Sequence, residues 1–142
     1  MAYHLAVDIG ASSGRHILGH IEDGRMVLEE VYRFDNTQCR RNGHDCWDIE
    51  ALWRHILACL RACKEAGKIP QTMGIDTWAV DFLLLDERGE PVCDAVAYRD
   101  KRTQGMDAAA EKRLPFAELY ARTGIQKQPF NTVYQLLALR EE

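Results

Sequence analysis

The apolar run Leu5-Ala6-Val7, closing on Asp8, predicts a first β-strand over residues 3–8. His16-Ile17-Leu18-Gly19-His20-Ile21 predicts a second over residues 15–21. A hairpin turn at Glu22-Asp23-Gly24, with its Asp-Gly signature, leads into a third over residues 26–34. Residues 35–45, carrying Asn36, Asn42 and Gly43, read as a polar loop. The period then changes. Asp48 is a helix N-cap, with Trp47 before it and Leu52 placed to staple against it. Ile49, Leu52, Trp53, Ile56, Leu57, Leu60 and Cys63 recur at helical spacing on one face, and Gly67 closes the helix. In this reading Trp47 and Trp53 are structural, the one a staple and the other part of the helix core face.

Beyond Pro70 a short apolar strand is expected over residues 72–77, and 80–85 continue extended to the turn Asp86-Glu87-Arg88-Gly89. A strand reached through a helix crossover lies parallel to the first strand in a right-handed unit. Asp8 and Asp76 are then both at carboxyl ends of parallel strands, the edge where open α/β sheets bind ligands. Residues 104–113, 115–122 and 131–142 read as amphipathic helices, the last with an apolar stripe at Val133, Leu136, Leu137 and Ala138. That stripe, followed by no capping glycine, is expected to pack against later sequence, as in a truncated larger protein.

Composition narrows the class. With 142 residues, 46% hydrophobic, 28% charged and a net charge of −4, the chain has a globular composition without the basic patch that nucleic acid or an anionic membrane requires. No apolar run approaches a membrane span, and the N-terminus does not read as a signal peptide, so a cytoplasmic location is expected. The five cysteines form no CxxC pair and are expected as reduced thiols. Cys39, His44 and Cys46 lie close in sequence, but no fourth ligand is apparent and the spacing matches no zinc knuckle. His4, His16, His20 and His55 read as surface positions without chemistry.

The chemistry concentrates in the turn after the first strand. Gly10 and Gly14 are expected to open backbone angles closed to other residues, aligning amide N–H groups around an anion. Ser12 and Ser13 add hydroxyl donors, and Arg15 adds a positive fork. Asp8 can hold the waters of a magnesium ion riding on a phosphate. The turn is not a P-loop, because the lysine is missing and a strand follows where a helix would. On residue type alone, Trp78 and Phe130 suit either a sugar face or the core. Arg99 and Asp100 suit either a pocket or an ion pair on a loop.

Four segments carry a resemblance. Val7-Asp8-Ile9-Gly10-Ala11-Ser12-Ser13-Gly14-Arg15 is the first, and Gly74-Ile75-Asp76-Thr77-Trp78-Ala79-Val80-Asp81 the second. Tyr98-Arg99-Asp100-Lys101-Arg102-Thr103 follows, then Thr123-Gly124-Ile125-Gln126 with Pro129-Phe130-Asn131-Thr132-Val133-Tyr134-Gln135-Leu136. In this order they resemble the successive signatures of the FGGY carbohydrate-kinase family, over residues 7–139. The resemblance implies an α/β, actin-like (ribonuclease-H-like) ATPase half-domain: a mixed sheet of three antiparallel strands, then a helix crossover to a parallel strand. It also implies ATP- and magnesium-dependent phosphorylation of L-rhamnulose at its 1-hydroxyl, in L-rhamnose catabolism.

Family members have two such domains with the active site in the cleft between them. Residues 1–142 match the N-terminal part of the first, on the sugar and phosphate side. The adenine-binding domain and the base aspartate are expected in the missing C-terminal part, so the chain alone is expected to be inactive. Carried onto this sequence, Ala11, Ser12, Ser13, Gly14 and Arg15 correspond to the loop that takes the ATP phosphates, and Asp8 to the aspartate near the magnesium. The family's sugar-contacting glycine after Asp-Thr-Trp is replaced here by Ala79. Trp78, Asp81, Arg99, Asp100, Phe130 and Asn131 match sugar-pocket or neighbouring positions. Asp-Thr-Trp and Tyr-Arg-Asp-x-Arg-Thr point to a sugar pocket and away from an actin or chaperone relative. A non-catalytic binding module of the same fold, or a kinase for another ketose, stays open.

Overall fold

In the computed structural model, which describes residues 1–142, the chain opens with β1 (Tyr3–Ile9), β2 (Ser13–Glu22), β3 (Arg25–Asp35), β4 (Gln38–Arg41) and β5 (His44–Trp47). Helix α1 (Ile49–Glu65) and strand β6 (Pro70–Thr77) follow, then a 3₁₀ turn (Lys101–Thr103), α2 (Met106–Glu111), α3 (Phe116–Thr123) and α4 (Thr132–Glu141). The chain divides into two units, residues 1–38 with 48–79, and residues 39–47 with 80–142. No helix is long and apolar enough to cross a membrane.

The first unit is built on a sheet of order β3-β2-β1-β6. β1 to β3 pair antiparallel, and β6 returns parallel to β1 with Asp8 beside Asp76. Asp23 and Gly24 both have positive φ, 47° and 74°, as a two-residue hairpin matched to strand twist requires. Period-two burial along β1 and β2 sends Leu5, Val7, Ile9 and Leu18 into a core closed by Phe34 and by Ile56, Cys59 and Cys63 of α1. The same alternation carries His16 inward, where it is fully buried with no well-formed hydrogen bond to either ring nitrogen, and not on the surface as its residue type suggested. Burial, followed by the nearby His55, lowers the His16 pKa.

Helix α1 starts where Asp48 accepts the Ala51 amide at 3.0 Å. It ends in a Schellman motif, with Lys68 N–H on the Cys63 carbonyl, Gly67 N–H on that of Lys64, and Gly67 at φ 68°. Its buried face overlaps the predicted one only in part. Ile56 and Cys63 are buried as expected and Cys59 joins them, whereas Ile49 and Trp53 are 42% and 54% exposed. Cys59 lies at one edge of the predicted face, and the buried line is rotated toward it. Burial and then the adjacent Cys63 push the Cys59 thiol up to about 12, which keeps it protonated and unreactive. Asp48→Ala is expected to destabilise the first unit by about 1 kcal/mol through the lost cap, read in a denaturant titration.

Residues 35–45 are not a polar loop, because β4 and β5 form a two-stranded hairpin, nearly all of it in the second unit. Its turn is Asn42-Gly43, with φ of 48° and 87°. That dipeptide is a hairpin signal, obscured here by the polar residues that flank it. The hairpin joins residues 95–97 through Trp47 N–H to the Ala95 carbonyl (2.8 Å) and Ala97 N–H to that of Asp45 (2.7 Å). The Cys39 thiol donates to the Cys46 carbonyl.

Residues 80–85 enter no ladder beyond a single bridge from Leu85 to Pro91. The turn that follows is capped by Asp86, whose carboxylate accepts the Arg88 and Glu90 amides. In α4 the buried side chains are Tyr134, Gln135 and Ala138, while Val133 and Leu136 are 43% and 45% exposed. Of the predicted stripe, Ala138 alone is buried, because the helix turns its polar Gln135 inward, where its amide donates to the Val80 and Phe130 carbonyls.

Candidate active site

The phosphate-turn candidate joins β1 to β2 at the carboxyl end of β1. Gly10 N–H donates to the Ser13 carbonyl at 2.9 Å. Asn36, buried at the end of β3, holds the turn from behind: its amide donates to the Ser12 carbonyl (3.0 Å) and its side chain to that of Gly10 (2.9 Å). These bonds use the turn's carbonyls and leave the Ala11 and Ser12 amides out of the internal network. The glycines serve a purpose other than the expected one. Neither Gly10 nor Gly14 has a positive φ. Gly14 is required because a Cβ there would meet the Phe34 ring at 2.1 Å, whereas a Cβ on Gly10 would make a tight 3.1 Å contact with the Ser13 carbonyl oxygen.

Arg15 turns its guanidinium onto Asp8, with Nη2 3.0 Å from Oδ2 and both side chains about half exposed. The residue read as a free magnesium ligand therefore has a partner within the turn. An exposed pair of this kind contributes little to stability and exchanges readily with solvent or another ion. The donor set suits a hydrated divalent cation on a phosphate: one accessible carboxylate, two hydroxyls and two amides not engaged by the turn. Asn36 was the residue missed. Its signal was an asparagine directly after an extended strand, a type that bonds backbone at turns.

Two of the sugar-side candidates belong to the first unit. Trp78 is partly buried against its core, and Ala79 is exposed. The rest lie in the second unit. Arg99, Asp100 and Phe130 line a cavity of about 270 Å³ together with Tyr98. The Tyr98 and Phe130 rings meet edge to face at 5.8 Å, and the Arg99 guanidinium sits 5.1 Å from the Tyr98 ring centre.

Asp100, 6% exposed, lines this cavity and is firmly anchored. His44 Nδ1 lies 3.0 Å from one carboxylate oxygen, which also accepts the Arg102 amide, and the Asp45 amide donates to the other. Burial opposes its ionisation, but these hydrogen bonds outweigh it and hold the carboxyl below its ordinary pKa. Asp81 accepts the Trp47 indole N–H at 2.7 Å. Asn131 donates to the Gln126 carbonyl and lines a separate cavity of about 220 Å³.

Residues 3–142 match the FGGY family of carbohydrate kinases, N-terminal domain. The chain belongs to that family. FGGY relatives similar to it over its full length include the rhamnulokinase of Halalkalibacterium halodurans, 51% identical across 100% of the chain and 30% of the relative. The rhamnulokinase of Bacillus subtilis is 47% identical over 94% of the chain and 27% of the relative. The chain thus spans about 30% of the length of the relatives it matches. Among solved FGGY structures, a ligand-bound xylulose kinase from Lactobacillus acidophilus superposes with a TM-score of 0.80 at 16% identity, covering 100% of this chain and 29% of that one. At that identity the likeness speaks to the fold alone, the actin-like α/β fold that the resemblance implied.

Proposed function

We propose that residues 1–142 are the N-terminal part of the first domain of an ATP-dependent kinase that phosphorylates L-rhamnulose at its 1-hydroxyl. The observation that carries this reading is 51% identity across the whole chain to a rhamnulokinase. In this reading the Ala11 and Ser12 amides, the Ser12 and Ser13 hydroxyls and Arg15 receive the terminal phosphates of ATP. Asp8 holds magnesium through water, and the ion when bound neutralises phosphate charge. Phe130, Arg99 and Asp100, with Asp81 and Asn131, are the sugar-side positions of the second unit, and Trp78 and Ala79 those of the first.

In the reaction the sugar's 1-hydroxyl oxygen bonds to the γ-phosphorus, the bond from that phosphorus to the ADP oxygen breaks, and the hydroxyl proton passes to a base. The base and the adenine-binding domain belong to the part of the kinase beyond this chain. What this chain supplies is position and charge, the main requirements of phosphoryl transfer.

ADP release from the longer kinase, measured across a panel of ketoses with ATP and magnesium, tests the reading. L-rhamnulose is expected to give the highest kcat/KM, and residues 1–142 alone are expected to release none. A different preferred ketose would overturn the substrate, and inactivity on all of them would overturn the kinase. Ala79→Gly in the same enzyme is expected to lower the KM for L-rhamnulose and leave that for ATP in place, since one methyl in a fitted pocket is worth about 1–3 kcal/mol. An unchanged ketose KM would place Ala79 outside the pocket.

A further inference from the structure

We propose that Gln135 is a positioning residue for the sugar side: its one buried amide fixes both the backbone that delivers Asp81 and the backbone that carries Phe130. The inference rests on the ketose-kinase reading above. It begins at Val80, whose φ of 73° lies in the left-handed region that a β-branched side chain rarely adopts. Such a conformation persists only where the surroundings over-determine it, and these outliers cluster at functional sites. Here the surroundings are specific. The Val80 carbonyl accepts Gln135 Nε2 at 3.1 Å and Thr132 Oγ1 at 3.3 Å.

Gln135 is fully buried, and its other contacts are equally defined. Nε2 also donates to the Phe130 carbonyl at 2.9 Å, and Oε1 accepts Arg102 Nη2 at 2.9 Å. Both ends of the amide are therefore engaged, and this network fixes which end is nitrogen. Residue 81 leaves the left-handed turn with its carboxylate on Trp47, and Phe130 packs its ring against Tyr98 in the wall of the 270 Å³ cavity. Losing the amide would take its donor from the Phe130 carbonyl, leave the Val80 carbonyl with the exposed Thr132 hydroxyl alone, and release Val80 to ordinary backbone angles. The two sugar-side segments would then shift together. The phosphate turn has no part in this network, so the predicted effect is selective for the ketose.

The test is steady-state kinetics of the longer kinase with L-rhamnulose and ATP varied separately. Gln135→Glu keeps an oxygen for Arg102 but removes both donated hydrogen bonds. It is expected to raise the ketose KM about tenfold or more, with the ATP KM within about twofold of the parent. Adding Val80→Gly, which accepts a positive φ without strain, is expected to recover most of that rise. Thr132→Val, at the exposed donor to the same carbonyl, is expected to give a smaller ketose-selective rise, and serves as the readout if Gln135→Glu does not fold. An unchanged ketose KM, an equal rise in both KM values, or no recovery with Val80→Gly would overturn the proposal. If the parent enzyme phosphorylates no ketose, the kinase reading fails. Gln135 is then judged by whether Val80→Gly restores the melting temperature of the Gln135→Glu protein.

Discussion

Asp8→Asn in the longer kinase is expected to lower kcat/KM about 10²–10³-fold, the scale of removing one preorganised electrostatic contact from a phosphoryl-transfer site. The melting temperature is expected to stay near that of the parent. Asp8 stands at the carboxyl end of β1, beside Asp76 on β6, and its one ion-pair partner is the half-exposed Arg15. Breaking an exposed pair costs less than about 1 kcal/mol. The asparagine keeps the side chain's shape and a hydrogen-bonding oxygen, but it no longer attracts a divalent cation. Magnesium titrations should show the loss as a raised metal requirement. Parental turnover would remove Asp8 from the phosphate site, and a collapsed melting curve would make it structural.

Gly14→Ala is expected to destabilise the first unit by about 1–3 kcal/mol, as overpacking a filled core does. The new Cβ would lie 2.1 Å from Phe34 Cε1 and 2.3 Å from Cζ. That ring cannot step aside, because it stacks on His55 at 4.0 Å with planes 9° apart and faces His16 at 5.8 Å. His55 is itself held by the Tyr32 hydroxyl at 2.9 Å. The strain would pass into the strand that closes the phosphate turn, so ATP affinity should fall with stability. Phe34→Leu in the Gly14→Ala background should return part of the loss, giving a non-additive cycle. A Gly14→Ala protein with the parent's denaturation midpoint would show that the ring yields.

What was legible in the sequence was local in origin. Short apolar segments marked β1 to β3, Asp-Gly marked the hairpin between β2 and β3, and Asp48 and Gly67 marked both ends of α1. A helix between two strands implied the parallel return that sets Asp8 beside Asp76. The turn proposed to receive phosphate was legible as a turn for the same reason, since its residues are contiguous and their donors follow from residue type. The sugar-side residues came from resemblance and not from pattern, because their alternatives in the core were equally consistent with an isolated tryptophan, phenylalanine or ion pair.

Tertiary structure alone decided where distant segments meet. Asp100 takes its partners from His44 and Asp45, more than fifty positions earlier, and Asp81 takes an indole N–H from Trp47. Nothing local to Gln135 says that its amide answers the carbonyl of a left-handed Val80. The glycine at position 14 likewise has ordinary backbone angles, and its necessity comes from a ring on the neighbouring strand. Local propensity and periodicity are properties of adjacent residues and can be read along the chain. Steric exclusion and the pairing of buried polar groups depend on which segments the fold brings within a few ångströms, and the chain meets those constraints only once it is folded.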